Sequence, residues 1–357
     1  MVKSLSQKDA RILIAATVAC IAAGVTHGGA NDVIAFILAA AALSLLAVVV
    51  GHATDHLGAR LSAGATGVLQ SALGNLPELM VCIFSLKAGL VEVVKGALIG
   101  SILANSLLVL GLAFLLGGRK NGTLKFDSGP PKMMAILMLI ACSALIVPTL
   151  AHTLHTPAEP HESELSLVCS FVLLIVFASS LSFFIKGSNS VIPEAAAEES
   201  THHETWPLPL AFGILALAGI GAAFVSEWFV AALEPATHAM GLSQAFTGLV
   251  VVAIAGNAVE NLVGIQLALK NKADYAVSVI LNSSLQIALM LIPLLVIISF
   301  FVGPAPMTLV LNPMLLVALI LAAVVPAWVV FDGEAIWLEG SALIGLYVLI
   351  ASAFWWG

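Results

Sequence analysis

Eleven apolar segments follow one another along the chain, and each is close to the roughly 20 residues that a helix needs to cross a bilayer. They occupy residues 9–25, 31–50, 62–86, 90–117, 133–150, 164–185, 207–233, 243–269, 275–301, 307–330 and 336–356. Only 9% of the 357 residues are charged, a fraction too small for a soluble protein of this length. The pattern predicts an all-α polytopic protein that spans a lipid bilayer with about 11 transmembrane helices.

The basic residues predict how these helices are oriented. If the N-terminus is cytoplasmic, the cytoplasmic loops contain all of the 13 Lys and Arg residues except Lys87 and Lys95. Cytoplasmic loops of membrane proteins carry such an excess of positive charge. The first eight residues are too polar to begin a signal peptide. We therefore expect an integral protein of the cell (inner) membrane, with its N-terminus inside and its C-terminus outside.

A polar, acidic linker at residues 187–206 divides the chain into two halves, and we expect it on the cytoplasmic side. Residues 1–30 hold an extra N-terminal helix, and residues 31–186 and 207–357 hold five predicted helices each. Because five is an odd number, the two halves enter the membrane in opposite orientations and form inverted repeats. Transporters of this architecture bind their substrate near the middle of the membrane, at the interface between the repeats.

The motif Gly-Asn-x-x-Glu occurs in the second helix of each half. Asn75 precedes Glu78 by three residues, and Asn257 precedes Glu260 by the same spacing, so each pair shares one face of a helix. A carboxylate inside an apolar segment is costly and usually functional. Two such faces turned towards each other would form an all-oxygen cage for a hard divalent cation. The alternative is a polar contact between helices without a ligand, but the matched recurrence argues against it.

The first motif also predicts a break in its helix. Pro77 has no N–H to donate to the carbonyl of Leu73, and Gly74 weakens the same turn. We expect a kink there, with the Leu73 carbonyl free to bind the cation. In the second motif, Gly256 alone provides the weak point.

Polar residues on the third helix of each half are candidates for orienting the glutamates or binding the cation directly. They are Ser101 and Asn105 in the first half, and Ser283, Ser284 and Gln286 in the second. Ser101 follows Glu78 by the same interval as Ser283 follows Glu260. Small polar residues are also common contacts between membrane helices, and that alternative stays open.

Further acidic residues are candidates for access or regulation. Asp55 and Glu227 close the first helix of each half, where they would admit cations or protons or simply mark the helix ends. Glu194, Glu198 and Glu199 lie in the linker, where they would bind regulatory calcium or belong to a plain tether.

Other motifs are absent from the sequence. There is no Walker loop, no His-Glu-x-x-His and no dinucleotide fingerprint, so we expect no cofactor, no nucleic-acid partner and transport driven by an ion gradient. All four cysteines lie in apolar segments and are predicted to be free thiols. They are Cys20, Cys82, Cys142 and Cys169.

The two motifs and their flanking residues resemble the cation/proton exchanger family (calcium/proton antiporters) of the calcium/cation antiporter superfamily. The resemblance covers nearly the whole chain and is strongest at residues 67–112 and 248–295. Asp55, in Ala-Thr-Asp-His-Leu, resembles the family's Ala-Thr-Glu, and Glu227 its Ser-Glu. The resemblance implies an extra first helix, two five-helix repeats and an acidic cytoplasmic linker. In this chain Asn261 stands where the family often has His, and Ala253 where it often has Pro.

These observations predict a transporter and not an enzyme. It would exchange calcium for protons by alternating access to a site in the middle of the membrane, with Glu78 and Glu260 as the carriers of cation and proton. A sodium/calcium or manganese/proton exchanger on the same fold is the alternative, and an intramembrane acid hydrolase is a remote one. The calcium ion and protons are the expected substrates, and a homo-oligomer is compatible with the sequence.

Overall fold

The computed structural model describes residues 6–29, 31–58, 73–186, 206–256 and 258–355, without the side chains of 182–186 and 258–261. Its helices are α1 Gln7–Thr26, α2 Asp32–Gly58, α3 Leu76–Lys87, α4 Val91–Asn121, α5 Gly129–Thr153, α6 Glu162–Lys186, α7 Leu208–Met240, α8 Gln244–Gly256, α9 Ala258–Leu269, α10 Ala273–Ser299, α11 Pro313–Val329 and α12 Trp337–Trp355. A short 3₁₀ turn, Glu159–His161, precedes α6. Two short strands, β1 Leu124–Lys125 and β2 Glu334–Ala335, pair antiparallel.

Most of these helices match the predicted membrane segments. Eight helical stretches in the described residues are long and apolar enough to cross a membrane, and α8 and α11 are apolar but shorter. Nine of the eleven predicted segments each overlap one described helix, the segment 243–269 covers both α8 and α9, and the segment 62–86 is described only from residue 73 onwards. The predicted class, an all-helical polytopic protein, is confirmed.

The chain forms two compact units. The first contains Met1–Ser85, Leu181–Gln244 and Ile254–Val259, and the second contains Leu86–Ser180, Ala245–Ala253 and Glu260–Gly357. Each unit therefore draws on both halves of the sequence. The predicted boundaries of the sequence repeats are a separate division and stay a prediction.

In the first unit, α2 packs along α7 and α1. The rings of Phe36 and Phe229 stack with their centroids 4.8 Å apart. Gly221 of α7 faces α2: a Cβ built on it would lie 3.4 Å from the Leu46 side chain, an ordinary van der Waals distance. Packing through small residues is the usual way that membrane helices associate, because lipid competes for every apolar contact.

In the second unit, α4 and the middle of α8 touch backbone to backbone. A Cβ built on Gly100 would lie 2.1 Å from the carbonyl oxygen of Leu249, and one built on Gly248 would lie 2.6 Å from that of Val93. A carbonyl oxygen inside a helix cannot rotate away as a side chain can. Both positions therefore require glycine.

The segment between α10 and α11 differs from the prediction, which began a helix at residue 307. The helix begins at Pro313, where the side chain of Asn312 accepts a hydrogen bond from the N–H of Leu315. Before it, side chains replace helical hydrogen bonds: the Thr149 hydroxyl accepts a bond from the N–H of Leu311, and Lys95 Nζ donates to a main-chain carbonyl of the segment. These partners let apolar residues lie outside a helix within the protein.

Candidate cation-binding site

The first Gly-Asn-x-x-Glu motif lies at an interruption of helical structure. Gly74 and Asn75 form a turn, and α3 begins directly after them at Leu76. Pro77 is the second residue of α3, where its missing N–H breaks no hydrogen bond. Glu78 is therefore in the first turn of α3, where unsatisfied N–H groups and the helix dipole favour a negative charge.

Both polar residues of this motif are buried. Asn75 is 3% exposed and Glu78 is 1% exposed. Within the described residues, the side-chain nitrogen of Asn75 has no hydrogen-bond partner. A carboxylate so far from water is stable only if a proton or a cation neutralises it.

The second motif meets the first through its glycine. A Cβ built on Gly256 would lie 3.3 Å from Cβ of Glu78 and 3.7 Å from its carboxyl carbon, so the glutamate side chain runs along the bare backbone of the glycine. The preceding carbonyl, of Ala255, accepts a hydrogen bond of 3.1 Å from the hydroxyl of Ser44 on α2. The structure thus brings together the end of α8, the start of α3 and α2 inside one unit. Ser44 carries no sequence signal of its own and was not predicted.

The two motifs also have the same position relative to their helices. Glu78 is the third residue of α3, and Glu260 is the third residue of α9, which begins at Ala258. Asn257 lies outside the described residues, and for Glu260 only the backbone is described. In the first copy, therefore, a helix starts between the asparagine and the glutamate, and in the second the described part of α9 begins two residues before the glutamate.

Polar residues on α4 and α10 bond to each other in the second unit. Asn105 Nδ2 donates to Ser283 Oγ over 2.9 Å, and the hydroxyls of Ser106 and Ser284 are 2.9 Å apart. For Asn105, Ser283 and Ser284 this favours the open alternative, contacts between helices. Ser106 was not predicted, although it directly follows Asn105.

Both of these helices contain a wider turn next to the polar residues. The π-helical stretches are Ala104–Val109 in α4 and Ile287–Leu291 in α10. Ser101 and Gln286, the other predicted residues here, are buried just before them. Widened turns inside helices are frequent at functional sites.

The prediction that an acidic residue closes the first helix of each half holds for Asp55, near the end of α2, but is wrong for Glu227, because α7 continues to Met240. Asp55 and Glu227 have exposed side chains, whereas Thr54 and Ser226 are buried. In the described part of the chain, neither hydroxyl has a hydrogen-bond partner. The matched tripeptides Ala-Thr-Asp and Val-Ser-Glu were the signal for these hydroxyls, but the prediction followed the acids. Glu194, Glu198 and Glu199 lie outside the described residues.

A sequence profile described as "Sodium/calcium exchanger protein" matches residues 32–186 and 210–356. The chain belongs to the sodium/calcium exchanger protein family. The two matched stretches fall within the ranges predicted for the two repeats, 31–186 and 207–357, and they leave out α1 and the linker. The resemblance to calcium/cation antiporters is confirmed. Because members of this family are transporters, the protein is not an enzyme, and the hydrolase alternative is dropped.

Similar proteins and solved structures align over nearly the full chain. The protein named Ca(2+)/H(+) antiporter from Synechocystis sp. (strain ATCC 27184 / PCC 6803 / Kazusa) is 36% identical over 342 residues, which are 91% of this chain and 92% of the relative. The solved structure of native YfkE is 30% identical, has a TM-score of 0.80 and covers 96% of this chain and 98% of its own. The H+/Ca2+ exchanger CAX, at 15% identity and a TM-score of 0.76, covers 98% of this chain and 92% of its own and shares the fold.

The four cysteines of this exchanger are free, as predicted. Cys82 lies one turn beyond Glu78 on α3 and is buried with it. It fills space beside the motif as a small apolar side chain.

Proposed function

We propose that this chain is a secondary active transporter that exchanges calcium for protons across a lipid bilayer. Two facts support the proposal: the motifs recur in both repeats, and the Synechocystis relative named a Ca(2+)/H(+) antiporter is 36% identical over 91% of this chain. The observation that carries it is the buried carboxylate of Glu78, at a helix start and against the glycine of the second motif.

The proposed chemistry follows from charge balance. Glu78 and Glu260 together carry two negative charges when ionised, and an apolar medium strongly disfavours such charge without compensation. One calcium ion or two protons would neutralise them equally. Calcium binding therefore expels protons, and proton binding expels calcium. The site is then exposed to the opposite side of the membrane with either calcium or protons bound.

Neutral oxygen atoms would complete the coordination of the cation. The candidates are the side-chain amides of Asn75 and Asn257 and the carbonyl of Leu73, which Pro77 cannot bond. Calcium accepts six to eight oxygen ligands in flexible arrangements, whereas magnesium holds on to its own water molecules. A cage of side chains and carbonyls next to an interrupted helix therefore suits calcium better.

The matched hydroxyls of Thr54 and Ser226 are further candidates for this cation pathway. Each is buried without a hydrogen-bond partner among the described residues, and each precedes one of the acidic residues predicted as access points. A buried hydroxyl without a partner loses hydrogen-bond energy unless a passing ion or water restores it. We propose that cations and protons pass Asp55 and Glu227 from opposite sides and meet these hydroxyls on the way.

The membrane orientation belongs to the same proposal. With the N-terminus in the cytoplasm, the end of α4, which carries Arg119 and Lys120, and the loop after α9, which carries Lys270 and Lys272, are both cytoplasmic. This agrees with the excess of positive charge on the cytoplasmic side of membrane proteins. The cell (inner) membrane is the proposed location. The linker acids Glu194, Glu198 and Glu199 would then meet cytoplasmic calcium.

Sodium-coupled calcium exchange is the second candidate, because the family profile itself bears the name of sodium/calcium exchangers. Calcium uptake into liposomes that contain only this protein separates the two. Calcium/proton exchange predicts uptake driven by an outward proton gradient in sodium-free buffer and none with an outward sodium gradient at equal pH. The opposite result would establish sodium coupling. Replacing calcium with manganese in the same assay tests the remaining alternative, manganese/proton exchange.

A further inference from the structure

The loop between α5 and α6 gathers nitrogen and oxygen ligands outside the predicted transport site. Ligand atoms of His152, Glu159 and Glu162 all lie within 4.8 Å of one another. A ring nitrogen of His152 contacts a carboxylate oxygen of Glu162 and lies 3.9 Å from one of Glu159. His155 brings a second imidazole, with Nδ1 3.0 Å from the other oxygen of Glu159. Three side chains thus converge on one volume, and His155 borders it through its contact with Glu159.

The backbone of this loop holds the four side chains in place. α5 ends at Thr153, a 3₁₀ turn covers Glu159–His161, and α6 starts at Glu162. Between them, the N–H of Thr156 donates to the carbonyl of Ala151, and Glu159 N donates to Thr156 O. His152 therefore lies at the end of α5, Glu162 at the start of α6, and His155 and Glu159 in the hydrogen-bonded turn between them, so the backbone that carries the ligands is ordered before an ion binds.

We propose that His152, His155, Glu159 and Glu162 form a zinc-binding site, separate from the transported cation. Zinc prefers four ligands in a tetrahedron and accepts imidazole nitrogen and carboxylate oxygen at about 2.0–2.2 Å. Such a tetrahedron has ligand atoms roughly 3.4 Å apart, so on binding the three clustered side chains draw closer and the exposed His155 side chain rotates towards them. Two carboxylates and two neutral imidazoles also balance the ionic charge of +2.

The mixture of ligands excludes calcium from this role. Calcium is a hard cation that takes six to eight oxygen atoms, whereas imidazole favours zinc and its neighbours in the first transition row. The side chains are also accessible, since His152 is 48% exposed and Glu162 is 26% exposed. An ion from solution reaches the site without passing the buried Glu78. Once bound, it links the end of α5 to the start of α6.

Zinc binding to the purified full-length chain tests this proposal. We expect one zinc ion per chain by equilibrium dialysis, and cobalt in its place should show the strong visible absorption of tetrahedral Co²⁺. Calcium at millimolar concentration should not displace either metal. The double variant His152→Ala/Glu162→Gln should lose at least tenfold in zinc affinity. A control variant, His161→Ala/Glu164→Gln, removes exposed side chains of the same types from the same loop and should bind zinc like the wild type.

Two results would overturn the proposal. One is equal zinc affinity in the wild type and in the His152→Ala/Glu162→Gln variant, and the other is an equal loss of affinity in the control. If the first double variant fails to fold, His155→Ala/Glu159→Gln replaces it with the same expectations. Calcium/proton exchange by each variant, measured without zinc, shows whether the transporter is intact and separates failure of this site from failure of the proposed transport function.

Discussion

Gly256 lies against Glu78, so closely that a Cβ on the glycine would stand 3.3 Å from the Cβ of the glutamate. These residues belong to the two copies of one motif, far apart in sequence. The contact explains why the second copy carries glycine where most helical positions would carry a larger residue. It leaves the Glu78 side chain room beside the end of α8, where we propose that the cation binds.

Replacing Gly256 tests the functional value of this space. Alanine should displace the Glu78 side chain by a few tenths of an ångström and slow calcium/proton exchange several-fold, and valine should abolish it. Gly213→Val is the matched control, because nothing lies within 4 Å of a Cβ at that position on α7. Exchange is measured in proteoliposomes at equal protein content. Wild-type rates for Gly256→Val would mean that Glu78 does not need this space.

Replacing Gly100 tests packing and not chemistry. A Cβ there would overlap the Leu249 carbonyl, so Gly100→Ala should destabilise the protein by at least the ~1–3 kcal/mol typical of overpacking. Gly345→Ala on α12, where a Cβ meets open space, should leave stability nearly unchanged. Thermal unfolding of the detergent-solubilised proteins provides the measurement. Equal melting temperatures for the two variants would contradict the close packing of α4 and α8.

The hydrogen bond between Asn105 and Ser283 is expected to stabilise the second unit without taking part in transport. Bonds between membrane helices contribute about 0.6 kcal/mol on average in double-mutant cycles. A cycle with Asn105→Ala, Ser283→Ala and the double variant should give a coupling energy of that order in unfolding experiments. Calcium affinity should stay unchanged in both single variants. A large rise in the apparent KM for calcium would instead place these residues at the cation.

Competition between protons and calcium predicts a characteristic pH dependence. Protons occupy the carboxylates at acidic pH, so the apparent KM for calcium should rise as the pH on the calcium side falls. Each displaced proton contributes up to roughly a tenfold rise per pH unit, and two protons give a steeper rise than one. Initial rates of calcium uptake at several pH values measure the slope. A KM that does not change with pH would rule out shared sites for calcium and protons.

Much of this architecture could be predicted because local composition dictates it. Apolar segments of bilayer length identify the helices, and Pro77 beside Gly74 identifies the interruption before α3. The start of α11 was missed because apolar composition also covers residues 307–312. Backbone groups of this segment form hydrogen bonds with the side chains of Thr149 and Lys95. Because these partners are remote in sequence, no local pattern shows that the segment is not helical.

The acidic residues of the candidate site could be predicted from the sequence, but the contacts that surround them could not. Glu78 stands out in the sequence because a carboxylate in an apolar segment is rare. The proximity of Gly256 to Glu78, and the bond from Ser44 to the Ala255 carbonyl, depend on how helices pack and have no periodic signal. Thr54 was overlooked beside the more conspicuous Asp55, although it is the buried member of that pair.

The most direct test of the account is calcium-dependent proton flux by Glu78→Gln and Glu260→Gln in liposomes that contain only the purified protein. Glutamine keeps the shape of glutamate but carries neither charge nor a transferable proton. Glu234→Gln, an exposed glutamate on α7, is the control and should exchange like the wild type. For each of the two site variants, the calcium-dependent proton flux should fall to that of protein-free liposomes, while the purified protein remains folded and monodisperse. Exchange near the wild-type rate in either one would contradict the two-glutamate site.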